Sequence, residues 1–153
     1  MELLTGEFKA TLDEKGRISL PAHLRRVLNE SSICITQGMD DCLWLHPASE
    51  YTEMMNEIRK NTDRFSRKDR DIRRRIFNSH DVEIDKAGRI PIPQNFRELA
   101  GLSKDCMILG QIDYIEIWDE ERYRKYLEDS EDEFVAASEE LGAVLKRKRG
   151  ASD

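Results

Sequence analysis

The stretch Leu12-Asp13-Glu14-Lys15-Gly16-Arg17-Ile18-Ser19-Leu20-Pro21 returns later in the chain as Ile84-Asp85-Lys86-Ala87-Gly88-Arg89-Ile90-Pro91-Ile92-Pro93. The offset is 72 residues, from Asp13 to Asp85, and it holds without a gap outside the motif. Identical residues at this offset include Arg25 and Arg97, Ser31 and Ser103, Cys34 and Cys106, Gly38 and Gly110, Asp41 and Asp113, and Tyr51 and Tyr123. Such a repeat predicts two copies of one supersecondary unit, packed about a pseudo-two-fold axis.

Each copy has the pattern of strand, turn, strand, short helix and two further strands. In the first copy we predict strands over 8–12, 17–20, 33–36 and 42–45 and a helix over 22–28. In the second copy the strands are predicted over 81–84, 89–92, 106–109 and 114–117 and the helix over 94–100. An aspartate opens each turn and a glycine takes its left-handed position, so the strand after the turn is expected to pair with the strand before it. Pro91 favours an edge or swapped position for its strand.

Helices are predicted after each copy, over 49–59 and 66–77 and then over 120–127 and 131–148. The last helix has a sparse apolar stripe, which favours docking on a neighbour. Residues 146–149, Lys-Arg-Lys-Arg, are expected to form a flexible tail. We predict an α+β protein in which the two halves share one core, because a hairpin alone leaves one face exposed.

Charge is distributed unevenly along the 153 residues. The net charge is −6 and the pI near 5.2, yet residues 59–75 are mainly basic and residues 116–140 mainly acidic. Either the protein has distinct faces, or its acidic and basic helices complement each other. The sequence contains no apolar run of about 18 residues and does not begin like a signal peptide, so no membrane span is expected. Three cysteines cannot all pair within one chain and their spacings match no zinc motif, so a reducing cytoplasm is expected.

Little in the sequence favours catalysis or metal binding. His23, His46 and His80 lie far apart without ligand spacing, and the eight glycines form no phosphate-binding loop. The two motif aspartates could form an acid dyad, but their turns already explain them. We expect no catalytic residue, metal or cofactor. Cys34, Cys42 and Cys106 are predicted to be small buried hydrophobes, and Trp44 to be a core or interface residue rather than a base-stacking one.

The repeated turn is the candidate functional element. Lys15 and Arg17 in the first copy, and Lys86 and Arg89 in the second, place cations at or beside a tight turn. Lysine and arginine bind phosphates, and arginine also reads guanine edges in the major groove.

The acids and glycines of the same motif are expected to act locally. Asp13 and Asp85 would cap the turns and orient the arginines, and Gly16 and Gly88 would allow the turn geometry. The alternative is an ordinary turn with a solvated arginine. Turn geometry explains the Asp and Gly but does not require Arg immediately after Gly in both copies, so we favour DNA binding.

The pattern Asp-x-x-Gly-Arg-Ile-x-Leu/Ile-Pro resembles the swapped-hairpin superfamily that includes the AbrB-type transcription factors. Two tandem copies, the opening segment 8–13 and the stretch Trp44-Leu45-His46-Pro47 resemble the MraZ family, from about Thr5 to Leu145. The resemblance implies interlocked AbrB-like repeats, a ring-shaped homo-oligomer, and a nucleoid-associated regulator that binds repeated promoter boxes of the bacterial division and cell-wall gene cluster. It places the DNA contacts on the basic residues of the two Asp-x-x-x-Arg motifs, which are Asp13 to Arg17 in the first copy and Asp85 to Arg89 in the second. Lys15 matches Ala87 and Lys86 matches Glu14, so the two turns are expected to be unequal on DNA.

These observations predict a domain division and a partner. The first repeat is assigned to 5–52, the linking helices to 53–78, the second repeat to 79–124, and the C-terminal helix and basic tail to 125–153. Double-stranded DNA and other copies of the chain are the expected partners, without a small-molecule substrate. The alternative function is a ring scaffold that binds proteins without reading DNA. The basic stretch 59–75 is either a second DNA surface or, as we favour, a solvated helix face that pairs with the acidic C-terminal region.

Overall fold

The computed structural model describes residues 3–28 and 32–152. The first repeat comprises β1 (Glu7–Thr11), β2 (Arg17–Ser19), α1 (Ala22–Leu28), β3 (Ser32–Gln37) and β4 (Leu43–Pro47). Two helices follow, α2 (Ala48–Lys60) and α3 (Arg67–Ile76). The second repeat comprises β5 (Ser79–Glu83), β6 (Arg89–Pro91), α4 (Gln94–Ala100), β7 (Asp105–Gly110) and β8 (Ile115–Asp119). Helices α5 (Glu120–Asp129) and α6 (Glu131–Ser152) end the chain.

Strands of the two repeats are interleaved in one antiparallel sheet. Its order is β1-β7-β8-β4-β3-β5, so the first strand of each repeat pairs with a strand of the other repeat. The short strands β2 and β6 pair with each other in a separate two-stranded ribbon. The α+β fold with two interlocked repeats is therefore confirmed.

Pairing across the first turn differs from the local expectation. Only a single bridge, Leu12 to Ile18, joins the strand before that turn to the strand after it. The expected hairpin ladder is wrong, because β1 uses its hydrogen bonds on β7 and β2 uses its own on β6. In this arrangement Ile18 and Ile90 are fully buried in the core that the two repeats share.

The strand registers locate the pseudo-two-fold axis. Ile18 lies opposite Ile90 in the ribbon, and Trp44 lies opposite Glu116 where β4 meets β8. Both pairs are separated by the repeat offset of 72 residues. Equivalent positions face each other only on a symmetry axis, so the axis passes through the ribbon and the centre of the large sheet.

The two repeats share one apolar core. The faces of α1 and α4 that carry Leu24 and Phe96 pack into it, and both side chains are almost fully buried. Gly101 ends α4 in the left-handed conformation, as is common for a helix C-cap. The three cysteines are free and buried, as predicted.

The chain divides into two compact units, and the first ends at Glu120. The second begins at Glu121 and contains α6 and all but the first residue of α5. Residues 146–149 lie within α6, so the expectation of a flexible tail is wrong. Lysine and arginine are good helix formers, and cations near a helix C-terminus interact favourably with its dipole. None of the described helices is both long enough and apolar enough to span a membrane.

Candidate nucleic-acid interface

The first turn is held by the carboxylate of Asp13. Its Oδ1 accepts hydrogen bonds from the backbone N–H groups of Lys15 and Arg17, both at 2.9 Å. Its Oδ2 accepts a third from Arg17 Nε, also at 2.9 Å. Gly16, with φ of +78°, closes the turn by donating its N–H to the Asp13 carbonyl at 3.0 Å. The side chain of aspartate is short, and the turn brings the backbone N–H groups and the arginine Nε within hydrogen-bond distance of it.

The second turn repeats this geometry. Asp85 Oδ1 accepts from Ala87 N and Arg89 N at 2.9 Å, and its Oδ2 accepts from Arg89 Nε at 3.0 Å. Gly88 has φ of +81°. In each turn the backbone N–H of the arginine is the main cause that lowers the pKa of the aspartate, so both carboxylates are charged at neutral pH.

These hydrogen bonds leave most of each guanidinium available. Arg17 and Arg89 use Nε for the aspartate, and within residues 3–28 and 32–152 their terminal nitrogens have no hydrogen-bond partner. The side chains are 29% and 35% exposed, so they are neither buried nor freely solvated. An arginine held at Nε presents its terminal N–H groups in a fixed direction, which suits recognition of a phosphate or a guanine edge.

The ribbon places both arginines on one surface. Arg17 lies opposite Pro91 and Arg89 lies opposite Ser19, while Ile18 and Ile90 face the core between them. Alternation along a strand therefore sends both arginines to the outer face. Diagonal positions of this kind in an antiparallel pair are about 7–8 Å apart.

Arg25 and Arg97 join the turns, although sequence reasoning gave them no role. A Cβ built on Gly16 would lie 2.8 Å from Arg97 Cζ, and one built on Gly88 would lie 2.6 Å from Arg25 Cζ. Each guanidinium therefore packs against the glycine of the other repeat's turn, where only glycine leaves room. The only sequence signal was the presence of arginine at both positions, 72 residues apart.

These two arginines lack the acid that accompanies Arg17 and Arg89. The Nε atoms of Arg25 and Arg97 are buried without a hydrogen-bond partner, and in the described part of the chain no carboxylate lies within ion-pair distance of either. A buried, unsatisfied guanidinium nitrogen is costly unless a ligand supplies an acceptor nearby. Each turn therefore lies near two arginines, one from each repeat.

The lysines are exposed and the two turns are chemically unequal. Lys15 and Lys86 lie at the tips without a salt bridge among the described residues. The first tip also carries Glu14, whereas the second carries Ala87 and no second acid. The first tip is therefore less positive than the second, whose approach to a polyanion is more favourable.

The basic stretch of α3 has a different character. Arg73 donates to Thr62 Oγ1 at 2.8 Å and to the Thr62 carbonyl at 3.0 Å, which fastens α3 to the end of α2. Arg74 pairs with Asp71 at 2.8 Å on the exposed surface. At least two of these cations thus have partners within their own segment. Among the described residues no group of three potential metal ligands is found.

Comparisons with known proteins agree with the two-repeat structure. The model of the MraZ protein family, described as antitoxin-like, matches residues 3–75 and 76–144, so its two matches meet inside α3 and separate the repeats. The transcriptional regulator MraZ of Treponema denticola is 46% identical over 142 residues, which cover 92% of this chain and 99% of that protein. The protein of the same name from Treponema pallidum strain Nichols is 41% identical over 138 residues, covering 90% of this chain and 93% of that protein.

Proposed function

Because the chain belongs to the MraZ family, whose relatives from Treponema are named transcriptional regulators, we propose that it regulates transcription by binding double-stranded promoter DNA through its two Asp-x-x-Gly-Arg turns. The targets would be repeated boxes in the promoter of the division and cell-wall gene cluster. The protein would act in the cytoplasm, in association with the nucleoid.

One observation carries this proposal. Arg17 and Arg89 are each oriented by an aspartate through Nε, present their terminal N–H groups, and lie on the same face of one ribbon. The major groove admits a two-stranded ribbon, and arginine is the most common reader of guanine there. Both oxygens of Asp13 and of Asp85 accept hydrogen bonds from the turn and its arginine, so in this proposal the carboxylates orient the arginines and make no DNA contact themselves.

Arg25 and Arg97 extend the proposed contact. Their guanidinium groups pack on the turn glycines and lack acidic partners among the described residues. We assign them to the phosphate backbone, since phosphate contacts position a protein while base contacts specify the sequence. Lys15 and Lys86 would add phosphate contacts from the exposed tips.

Oligomerisation would multiply these contacts. Helix α6 exposes a set of large apolar side chains, namely Phe134, Val135, Leu141, Val144 and Leu145. Such a stripe favours association with another copy, and a ring would present many turns to tandem boxes. Linked contacts gain affinity through effective concentration, without any new contact.

The direct test is DNA binding by single-turn variants. Arg17→Ala and Arg89→Ala should each weaken binding to promoter DNA by about 1–3 kcal/mol and reduce the preference for promoter over scrambled DNA. Arg75→Ala removes an exposed arginine from α3 and is the matched control, with a smaller expected effect. Fluorescence anisotropy over a salt series measures all three variants.

The same assay distinguishes DNA binding from the scaffold alternative. A ring scaffold that only binds proteins would form no sequence-selective, salt-sensitive complex with DNA. Sequencing of the genomic DNA that co-purifies with the protein tests the target cluster separately. Enrichment of sites unrelated to tandem promoter boxes would contradict that part of the proposal.

A further inference from the structure

A cavity of about 310 Å³ lies beside β4 and α2, away from the two turns in sequence. Its aromatic lining comes from Trp44, His46 and Tyr114, and Met54 adds an apolar, polarizable surface. Every charged residue of the described lining is an acid, namely Glu50, Glu53, Glu57 and Asp113. Aromatic faces combined with carboxylates form the type of surface that recognises organic cations.

The aromatic rings are held in place before any ligand arrives. The ring centroids of Trp44 and Tyr114 are 5.0 Å apart, and those of His46 and Tyr114 are 5.9 Å apart in a stacked arrangement. Trp44 Nε1 donates a hydrogen bond to Glu116 Oε2 at 3.3 Å, across the pseudo-two-fold axis. The equivalent of Trp44 in the second repeat is this glutamate, so the repeat symmetry does not generate a second aromatic pocket of the same kind.

His46 contributes a neutral ring rather than a charge. It is 2% exposed, and burial lowers its pKa to about 4 even though Asp113 opposes the shift. Its Nε2 lies 3.2 Å from Thr36 Oγ1. This contact leaves the ring as a fixed wall of the cavity rather than a charged group.

The acids converge because of helix geometry. Positions 50, 53 and 57 of α2 are spaced by three and four residues and therefore share one face. Glu57 also pairs with Lys60 at 3.8 Å, but both side chains are more than two-thirds exposed, and such a pair contributes little. Neighbouring carboxylates repel one another, and a cation between them would remove that repulsion.

We propose that this cavity binds an alkylguanidinium or alkylammonium group, with the cation over the Trp44 and Tyr114 rings and its N–H groups directed to Glu53 and Glu57. The volume lies at the lower end of the range for small-ligand sites, which suits one extended cationic chain. Two sources could supply the group: a free small organic cation, or a basic side chain from residues 146–149 of another copy.

Isothermal titration calorimetry on the full chain tests the chemistry. The probe is n-butylguanidinium, and n-butylurea of nearly the same shape but without charge is the control at equal ionic strength. We expect saturable binding of the guanidinium and none of the urea. Equal binding of n-butylguanidinium and n-butylurea would overturn the proposal. It would also be overturned if n-butylguanidinium bound neither the wild type nor any of the variants described below.

Variants of α2 test the assigned residues. Glu53→Gln and Glu57→Gln should each weaken n-butylguanidinium binding about fivefold, the loss of one carboxylate–cation contact near water. Glu83→Gln removes an exposed carboxylate from β5 and should have no effect. Trp44→Leu should abolish binding. Should Trp44→Leu fail to fold, the two exposed α2 variants decide, and unchanged binding in both would refute the site.

Replacement of residues 146–149 by serine distinguishes the two sources. If another copy's basic side chain occupies the cavity, its removal should increase the affinity for n-butylguanidinium several-fold or expose binding that the wild type masks. If the natural ligand is a free cation, the affinity should be the same in both proteins.

Discussion

Substitution of Gly16 by alanine tests whether the turn and the arginine of the other repeat form one structure. Gly16 has φ of +78°, a conformation that costs a residue with a Cβ about 1–2 kcal/mol. The new methyl group would also lie 2.8 Å from both Cζ and an Nη atom of Arg97. Because the guanidinium is the far end of a flexible side chain, it can move, at a further cost of about 1 kcal/mol or less.

Urea unfolding monitored by tryptophan fluorescence measures this cost. Both tryptophans lie in the unit that ends at Glu120, so the signal reports the turn-bearing unit. Gly16→Ala should lower the free energy of unfolding by about 1–3 kcal/mol. Gly142→Ala, the same substitution in α6 with no atom within 4 Å of the new Cβ, should leave the tryptophan-monitored midpoint unchanged.

A double variant separates the two contributions. In an Arg97→Ala background, Gly16→Ala should lower the free energy of unfolding only by the cost of the left-handed backbone conformation, because no guanidinium remains to be displaced. Equal stability of Gly16→Ala and wild type, within about 0.3 kcal/mol, would refute the left-handed turn. A cost that is unchanged by Arg97→Ala would refute the packing of Arg97 on Gly16.

Three further perturbations probe other parts of the structure. Asp13→Asn keeps a turn-capping oxygen but loses the charged partner of Arg17 Nε, so DNA binding should weaken, though less than in Arg17→Ala, while circular dichroism stays unchanged. Burial lowers the pKa of His46 to about 4 in the folded state, whereas its ordinary value is 6.5. The unfolded state therefore binds a proton that the folded state does not, and the free energy of unfolding falls as the pH drops from 6.5 towards 4. Between pH 7.5 and 5.0 the wild type should lose about 2 kcal/mol more stability than His46→Gln in urea unfolding, and parallel losses would contradict a buried neutral imidazole. Leu141→Glu should reduce the mass of the oligomer measured by light scattering, whereas Ala143→Glu, on another face of α6, should not.

The local features of the fold were predictable because they depend on neighbouring residues. The Asp and Gly of each turn, the short helices after Pro21 and Pro93, and the C-cap at Gly101 follow from backbone preferences of single residues. The sequence repeat predicted the pseudo-symmetry. The register of β2 against β6 then places Ile18 opposite Ile90 on the symmetry axis.

Strand partners and cross-repeat contacts were not predictable from local patterns. Alternation along β1 shows which face is buried, but it cannot show that the neighbour is β7 rather than β2. Arg25 and Arg97 were missed for the same reason, since the turn glycines that they contact lie 63 and 81 residues away in the sequence. The cavity beside Trp44 likewise joins residues from β4, α2 and the segment before β8.

The central claim is that the two turns bind DNA together from one ribbon face. The most direct test is the affinity for promoter DNA, across a salt series, of the double variant Arg17→Ala/Arg89→Ala beside the double variant Arg67→Ala/Arg75→Ala. Both remove two positive charges, but only the first removes the aspartate-oriented pair. We predict that the turn variant loses about 2–6 kcal/mol of binding free energy and its preference for promoter sequence, while the α3 variant keeps that preference. An unchanged affinity in the turn variant, or a larger loss in the α3 variant, would contradict this account.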